Sequence, residues 1–160
     1  MVELIQKSLV VITGITGYLG MFLCRDFLKD GGFRVRGTVR NKDPKNLKYL
    51  ITAYGKLYEE LEIVVTDVEN ESQVEKAVEG ATYVVHTATP VLYKEPTDGG
   101  KAVIKTAVEG ALITLRASTK AGVKRVVLTS SIACIRDVFK KDRLPDGVPY
   151  TEEHWSDIEF

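Results

Sequence analysis

The sequence predicts an α/β fold built on a doubly wound parallel sheet, and three observations point to it. Short β-branched runs alternate with segments of helical spacing. The runs are nearly continuous in Val, Ile and Leu. The first run passes straight into a glycine-rich turn that opens a helix. Strands alternating with helices imply a parallel sheet with right-handed crossovers. Continuous apolar runs suit strands buried on both faces.

The predicted strands are Leu9–Thr13, Phe33–Val39, Leu61–Val65, Tyr83–Thr87 and Arg125–Thr129. The first helix is expected from about Leu19 to Lys29, with Leu19, Phe22, Leu23 and Phe27 on one face and Asp30-Gly31-Gly32 as its stop. The second is expected over Pro44–Tyr54, since proline fits a first helical turn where its missing N–H is not needed. The third spans about Ser72–Val78 and ends at Gly80. The fourth spans about Gly100–Ala121, with Ile104, Val108, Ala111, Leu112 and Leu115 as its apolar stripe and Gly122 as its stop. The order β-α-β-α-β-α-β-α-β gives a strand order of 3-2-1-4-5 if the sheet is the doubly wound dinucleotide fold. After Ser131 the pattern gives way to a polar, loop-like stretch from Arg136 to Glu159.

The chemistry concentrates in Thr13-Gly14-Ile15-Thr16-Gly17-Tyr18-Leu19-Gly20. In this G-x-x-G-x-x-G pattern the first glycine allows the tight turn off the strand. The second lets the backbone approach a pyrophosphate, and the third lets helix and strand pack closely. The helix N-terminus adds free N–H groups and a positive dipole end. Such triplets are common, but this one lies in the first β-α-β unit, the context that gives it meaning; the alternative is a turn that serves packing alone. The fold class is therefore Rossmann-type, with residues 1–160 read as one dinucleotide-binding domain.

An NAD-selective site places an acid near the end of the second strand, where it meets the ribose 2′-OH. Here Phe33–Val39 holds no acid and runs into Arg40, Asn41, Lys42 and Lys45. A guanidinium matches a 2′-phosphate in charge and in forked hydrogen bonding. NADP(H) is the expected cofactor, gripped by Arg40 and with Lys45 as a further candidate; the alternative is solvated loop charge. Asp67, with Val68 after it, would lie beside the adenine, or else be a turn aspartate.

Composition is close to that of an ordinary soluble globular protein. Apolar residues are 44% and charged residues 28%, with 22 basic and 22 acidic side chains and zero formal net charge. That balance offers no general attraction for nucleic acid or anionic membrane. The N-terminus lacks signal-peptide character and no apolar run reaches the ~18–20 residues of a membrane span, so a cytoplasmic location is the default. Cys24 and Cys134 fit neither a disulfide framework nor a metal motif and are expected to pack as small apolar groups. His86, alone in an apolar strand, is expected to be a buried structural histidine, and His154 an exposed one.

The Thr13–Gly20 loop, Gly37-Thr38-Val39-Arg40, His86-Thr87-Ala88-Thr89-Pro90, Val126-Val127-Leu128-Thr129-Ser130-Ser131 and Glu153-His154-Trp155-Ser156-Asp157 together resemble extended short-chain dehydrogenase/reductases. The nearest branch is the dihydroflavonol reductase, cinnamoyl-CoA reductase and fungal aldehyde/ketone reductase group. The likeness runs from about Leu9 to Phe160. It implies NADP-dependent reduction of a small-molecule carbonyl (aldehyde, ketone or CoA-thioester). It implies that Thr87, Ala88, Thr89 and Pro90 line the ribose and nicotinamide side, with Thr129 and Ser130 also beside the cofactor. Ser131, rather than Ser130, would be the catalytic serine stabilising charge on the carbonyl oxygen; the bland alternative is a strand end capped by its own hydroxyls.

The sequence departs from that family in more than one respect: Ala107 stands where many extended members carry Asn, which the reductase branch tolerates, and a catalytic pair is missing. The reaction needs a Tyr-x-x-x-Lys pair, and none of the seven tyrosines has lysine four residues later. The pair and the substrate-binding region are expected beyond Phe160, so this chain alone should turn over little or no substrate. The apolar face of Val126 and Leu128, and part of the Val103–Leu115 helix, should then be exposed and left to a homo-oligomer contact or a C-terminal segment. Two other functions remain open: an NAD-retaining sugar-nucleotide epimerase or dehydratase, which Arg40 disfavours, and a non-catalytic NADP-binding sensor.

Overall fold

The computed structural model describes residues 7–90, 97–136 and 147–156. They form two compact units that divide after Leu128.

The first unit is the expected parallel sheet. Its strands are β1 (Ser8–Thr13), β2 (Phe33–Val39), β3 (Leu61–Val65), β4 (Tyr83–His86) and β5 (Arg125–Leu128), in the order β3-β2-β1-β4-β5. The helices are α1 (Tyr18–Asp30), α2 (Pro44–Tyr54), α3 (Glu71–Val78) and α4 (Lys101–Lys120). Each starts and stops for a local reason. Gly31 ends α1 at φ +70°, in the left-handed region that favours glycine. Asp43 and Asn70 cap α2 and α3 by accepting from Lys45 N and Gln73 N. The Asp98 carboxylate accepts from Ala102 N at 2.9 Å and Gly100 N at 3.0 Å at the start of α4, and those bonds hold its pKa below the usual carboxylate value.

β1 explains the continuous apolar run. Val10 and Ile12 point into a core with Cys24 and Leu28 of α1 and Leu50 and Tyr54 of α2. Leu9 and Val11 point into another with Val74 and Val78 of α3 and Ile113 and Ala117 of α4. Both faces are covered, so both sets of side chains are apolar. Burial on both faces does not extend to the edges: Val65 of β3 is 43% exposed, and Val127 and Leu128 of β5 are 50% and 47% exposed. Arg36 on β2 ties the sheet to α3: its Nε meets Glu62 Oε1 at 2.8 Å, and its Nη1 donates to the Ala77 and Glu79 carbonyls at 2.8 Å.

The helical stripes need correcting. In α1 the buried positions are Gly20, Cys24 and Leu28, while Leu19 is exposed and Phe22 only half-buried. In α4 the expected stripe faces outward: Ile104, Val108, Leu112 and Leu115 are exposed, and Gly110, Ile113, Thr114, Ala117 and Ser118 face the sheet. The physical reason is close approach. A Cβ on Gly110 would sit 3.0 Å from Val68 Cγ2, so a larger residue at that position would push the helix away. On β5, Val126 turns inward onto the second core, and Val127 and Leu128 are the exposed pair.

The second unit holds a short 3-10 turn, Ile132–Cys134, that the sequence did not announce. Residues 147–156 are loop, as expected; residues 137–146 and 157–159 of the predicted loop lie outside the described residues. Ser156 fastens that loop to the turn, its N donating to Cys134 O at 2.8 Å and its Oγ to Ala133 O at 2.7 Å. His154 is half-buried rather than exposed, and its Nδ1 accepts from Thr151 N at 3.0 Å. Cys24 packs in the core, where burial pushes its thiol up to about 11. Cys134 is half-buried with Ser130 Oγ 3.4 Å from its sulfur.

Candidate functional site

The first unit carries a cleft of about 330 Å3 at the carboxyl ends of its strands, beside the point where the strand order reverses between β1 and β4. This is where doubly wound sheets hold ligands. Gly14, Thr16 and Gly17 of the turn after β1 form one wall. Thr38, Arg40 and Asn41 come from the end of β2, and Thr66 and Val68 from the segment after β3. Thr87, Ala88, Thr89 and Pro90 follow β4, and Thr106 comes from α4.

The turn after β1 is held rigidly. Gly14 has φ +73°, a conformation side chains rarely adopt. Its N donates to Thr38 Oγ1 at 3.2 Å, and Ile15 N donates to Thr38 O at 3.1 Å. The Ile15 side chain, fully buried, fills the space that Gly37 leaves: a Cβ there would lie 2.4 Å from Ile15 Cδ1. Gly17 N then donates to Gly14 O at 2.9 Å and α1 begins.

This turn suits an anionic phosphate. The first turn of α1 has neither a capping side chain nor an acidic residue, so its N–H groups and positive end are offered outward. A Cβ on Gly17 would meet Gly14 O at 3.3 Å, a tight contact but the only one, so packing demands glycine less here than at Gly20. Arg40 lies exposed on the cleft wall and makes no ion pair among the described residues. The residues present therefore fit the phosphates of a dinucleotide.

Beneath the cleft, Thr13, His86 and Thr114 form a buried polar chain. Thr13 Oγ1 accepts from Thr87 N and Ala88 N, both at 3.1 Å, and lies 3.1 Å from His86 Nδ1. Thr87 Oγ1 donates to the Thr13 carbonyl. His86 is 4% exposed, and burial lowers its pKa.

Of the residues named from sequence, the cleft gathers Gly14, Thr16, Gly17, Arg40, Val68, Thr87, Ala88, Thr89 and Pro90. Thr13 lies beneath it rather than in its wall. Tyr18 and Leu19 are exposed on α1, and Gly20 is buried against the turn. Lys45 is exposed in the first turn of α2, its N donating to Asp43 Oδ1. Asp67 makes a turn contact, its Oδ1 accepting from Glu69 N at 3.0 Å, and does not line the cleft. Thr129, Ser130 and Ser131 belong to the second unit, where Ser131 Oγ accepts from Ala133 N at 3.2 Å and opens the 3-10 turn. Thr38, Thr66 and Thr106 were not singled out from sequence. The signal for the first two was position, since each sits at or just past the carboxyl end of a predicted strand; Thr106 carries none.

The profile of the NAD dependent epimerase/dehydratase family matches residues 10–153. The chain belongs to this family. Within it, the chain is 36% identical over 152 residues to cinnamoyl-CoA reductase 1 of Arabidopsis thaliana, a match covering 94% of this chain and 41% of that protein. It is 37% identical over 159 residues to dihydroflavonol 4-reductase of Hordeum vulgare, covering 97% and 42%. Among solved structures, yeast methylglyoxal/isovaleraldehyde reductase Gre2 complexed with NADPH superposes with a TM-score of 0.73 at 26% identity, covering 92% of this chain and 43% of that one. Vestitone reductase from alfalfa (Medicago sativa) gives 0.71 at 30% identity, covering 94% and 43%. The chain thus spans about two fifths of the length of the curated relatives it matches, and it matches the N-terminal part of the reductase branch of the family.

Proposed function

We propose that this chain is the NADP(H)-binding part of an oxidoreductase that reduces a small-molecule carbonyl: an aldehyde, a ketone or a CoA-thioester. The observation that carries the reading is Arg40, which stands with Asn41 in the wall of the same cleft as the Gly14–Gly17 turn, with no acid at the end of β2. A forked guanidinium is the group that best matches a 2′-phosphate. The names of the similar proteins, reductases in each case quoted, support the reaction type, and the NADPH-bound neighbour supports the cofactor.

In this reading the turn after β1 and the first turn of α1 hold the pyrophosphate, and Arg40, with Lys45 as a further candidate, holds the 2′-phosphate. Val68 faces the adenine, and Asp67, outside the cleft wall, shapes the turn beside it. Thr87, Ala88, Thr89 and Pro90 face the ribose and nicotinamide. Bound reduced nicotinamide would supply a hydride equivalent to the carbonyl carbon. Ser131 would donate a hydrogen bond to the carbonyl oxygen as negative charge develops there. The outward face of α4 would be covered by a second copy or by further chain.

Titration of the chain with NADPH and NADH, followed by nicotinamide fluorescence, tests the reading. NADPH should bind more tightly. Arg40→Ala should weaken NADPH by about tenfold or more, as expected for losing a charge-assisted hydrogen bond, and leave NADH nearly unchanged. Equal affinity of Arg40→Ala and wild type for NADPH would refute it. The family description favours a second reading, an NAD-using epimerase or dehydratase, and tighter binding of NADH than of NADPH by the wild type would select it.

A further inference from the structure

We propose that His86 is a positioning residue for the cleft, acting through the Thr13 hydroxyl on the Thr87–Ala88 backbone; the proposal rests on reading the cleft as a dinucleotide site. Hydrogen accounting carries it. Thr13 Oγ1 has 3.1 Å contacts with Thr87 N, Ala88 N and His86 Nδ1. The two backbone N–H groups use both lone pairs of the hydroxyl oxygen, so its single hydrogen is directed at Nδ1. Nδ1 is therefore an acceptor, and the ring proton sits on Nε2. Thr114 Oγ1 also approaches Nδ1, at 3.3 Å, but its hydrogen goes to the Gly110 carbonyl at 2.8 Å, which can only accept. Thr13, His86 and Thr114 are 3%, 4% and 1% exposed, so bulk water cannot substitute for a lost partner.

The consequence reaches the cleft. With a hydrogen on Nδ1, Thr13 would face three donors with two lone pairs, and Thr87 N or Ala88 N would have to let go. With an apolar side chain at position 86, the Thr13 hydrogen would lose its acceptor and compete for others nearby. Thr87 and Ala88 line the cleft, and Ala88 Cα packs 3.0 Å from where a Cβ on Gly14 would stand. His86 does not line the cleft, yet one side chain separates it from two residues that do.

Side-chain geometry supplies the test. Asparagine can place an acceptor near the position of Nδ1, glutamine near that of Nε2, and leucine provides none. NADPH affinity is measured by fluorescence on the 160-residue chain, at a temperature where circular dichroism shows each variant folded. His86→Asn should bind within about twofold of wild type, while His86→Gln and His86→Leu should bind roughly 3–10-fold more weakly, the range of one net hydrogen bond. Thr13→Ser should bind as wild type and Thr13→Val should reproduce the loss; this pair decides if the His86 variants do not fold. A histidine that serves stability alone would lower the melting temperature without ordering affinities this way. Folded Gln, Leu and Thr13→Val variants with wild-type affinity would overturn the proposal, as would an Asn variant as weak as Leu. If the wild type binds NADPH and these variants do not differ, only the role of His86 fails; if it binds neither NADPH nor NADH, the dinucleotide reading itself fails.

Discussion

Gly17 and Gly20 are three residues apart, yet the structure asks different things of them. A Cβ on Gly20 would lie 2.5 Å from Gly14 O and 2.8 Å from Thr87 Oγ1, so α1 could not keep its approach to the turn. Gly20→Ala should lose both stability and dinucleotide binding. A Cβ on Gly17 has only the 3.3 Å contact with Gly14 O. Gly17→Ala should lose less melting temperature than Gly20→Ala and still bind NADPH poorly, because the methyl group crowds the turn offered to phosphate. Thermal melts paired with NADPH titration distinguish the two, and full affinity in a folded Gly17→Ala would reduce the glycine pattern to packing. His86 gives a pH prediction. Burial lowers its pKa below the ordinary 6.5, so the folded chain takes up this proton less readily than the unfolded chain. Below about pH 6.5 the unfolded state then binds more protons, and stability falls as pH drops until the folded value is reached. Urea midpoints at pH 7.5 and about pH 5.5 should show a larger loss for wild type than for His86→Asn, which has no imidazole to titrate.

At the scale of elements, α4 leaves exposed the part of its apolar stripe that the sequence led one to expect uncovered, and the sequence did not show which face meets the sheet. Its apolar residues made the obvious stripe, but its sheet-facing side is built from Gly110, Thr114, Ala117 and Ser118 around Ile113. Small residues there let the helix come close to Val68, and Thr114 turns its hydrogen back to Gly110 O. Ile104 and Val108 are left 61% and 52% exposed, and Leu112 and Leu115 47% and 38%. A contiguous apolar face of this kind favours association. The 160-residue chain should self-associate at high concentration in sedimentation velocity, and Val108→Lys with Leu112→Glu should shift it toward monomer while preserving the circular dichroism spectrum. A wild-type chain that stays monomeric throughout would count against an interface on this face.

At the scale of the molecule, the sheet and its cleft form one unit, and the segment bearing Ser131 forms another. No tyrosine of the sequence has a lysine four residues later, which removes the general acid that the reductase reading requires. The chain is therefore expected to bind NADPH and to consume it no faster than the uncatalysed background with aldehyde or ketone substrates, as followed by loss of NADPH absorbance. Sustained turnover would require a proton donor outside that pattern. Among the described residues no helix is long and apolar enough to cross a membrane, and no cluster of His, Cys, Asp and Glu could hold a metal ion.

The sequence by itself determined what depends on local order along the chain. Strand and helix succession and the turn after β1 were legible because periodicity and glycine placement are properties of neighbouring residues, and the order β3-β2-β1-β4-β5 followed once that succession was read as the doubly wound fold. Most of the cleft was legible for the same reason, since carboxyl ends of strands can be counted off. Tertiary structure decided what depends on distance. Which face of α4 is buried was set by the Gly110–Val68 approach, and an apolar count cannot see a contact between residues 42 positions apart. Thr38 and Ile15 entered the site because β2 lies beside β1. His86 gained its partners only when the ends of β1 and β4 and the middle of α4 met, because contacts between groups 73 and 28 residues apart follow from the fold.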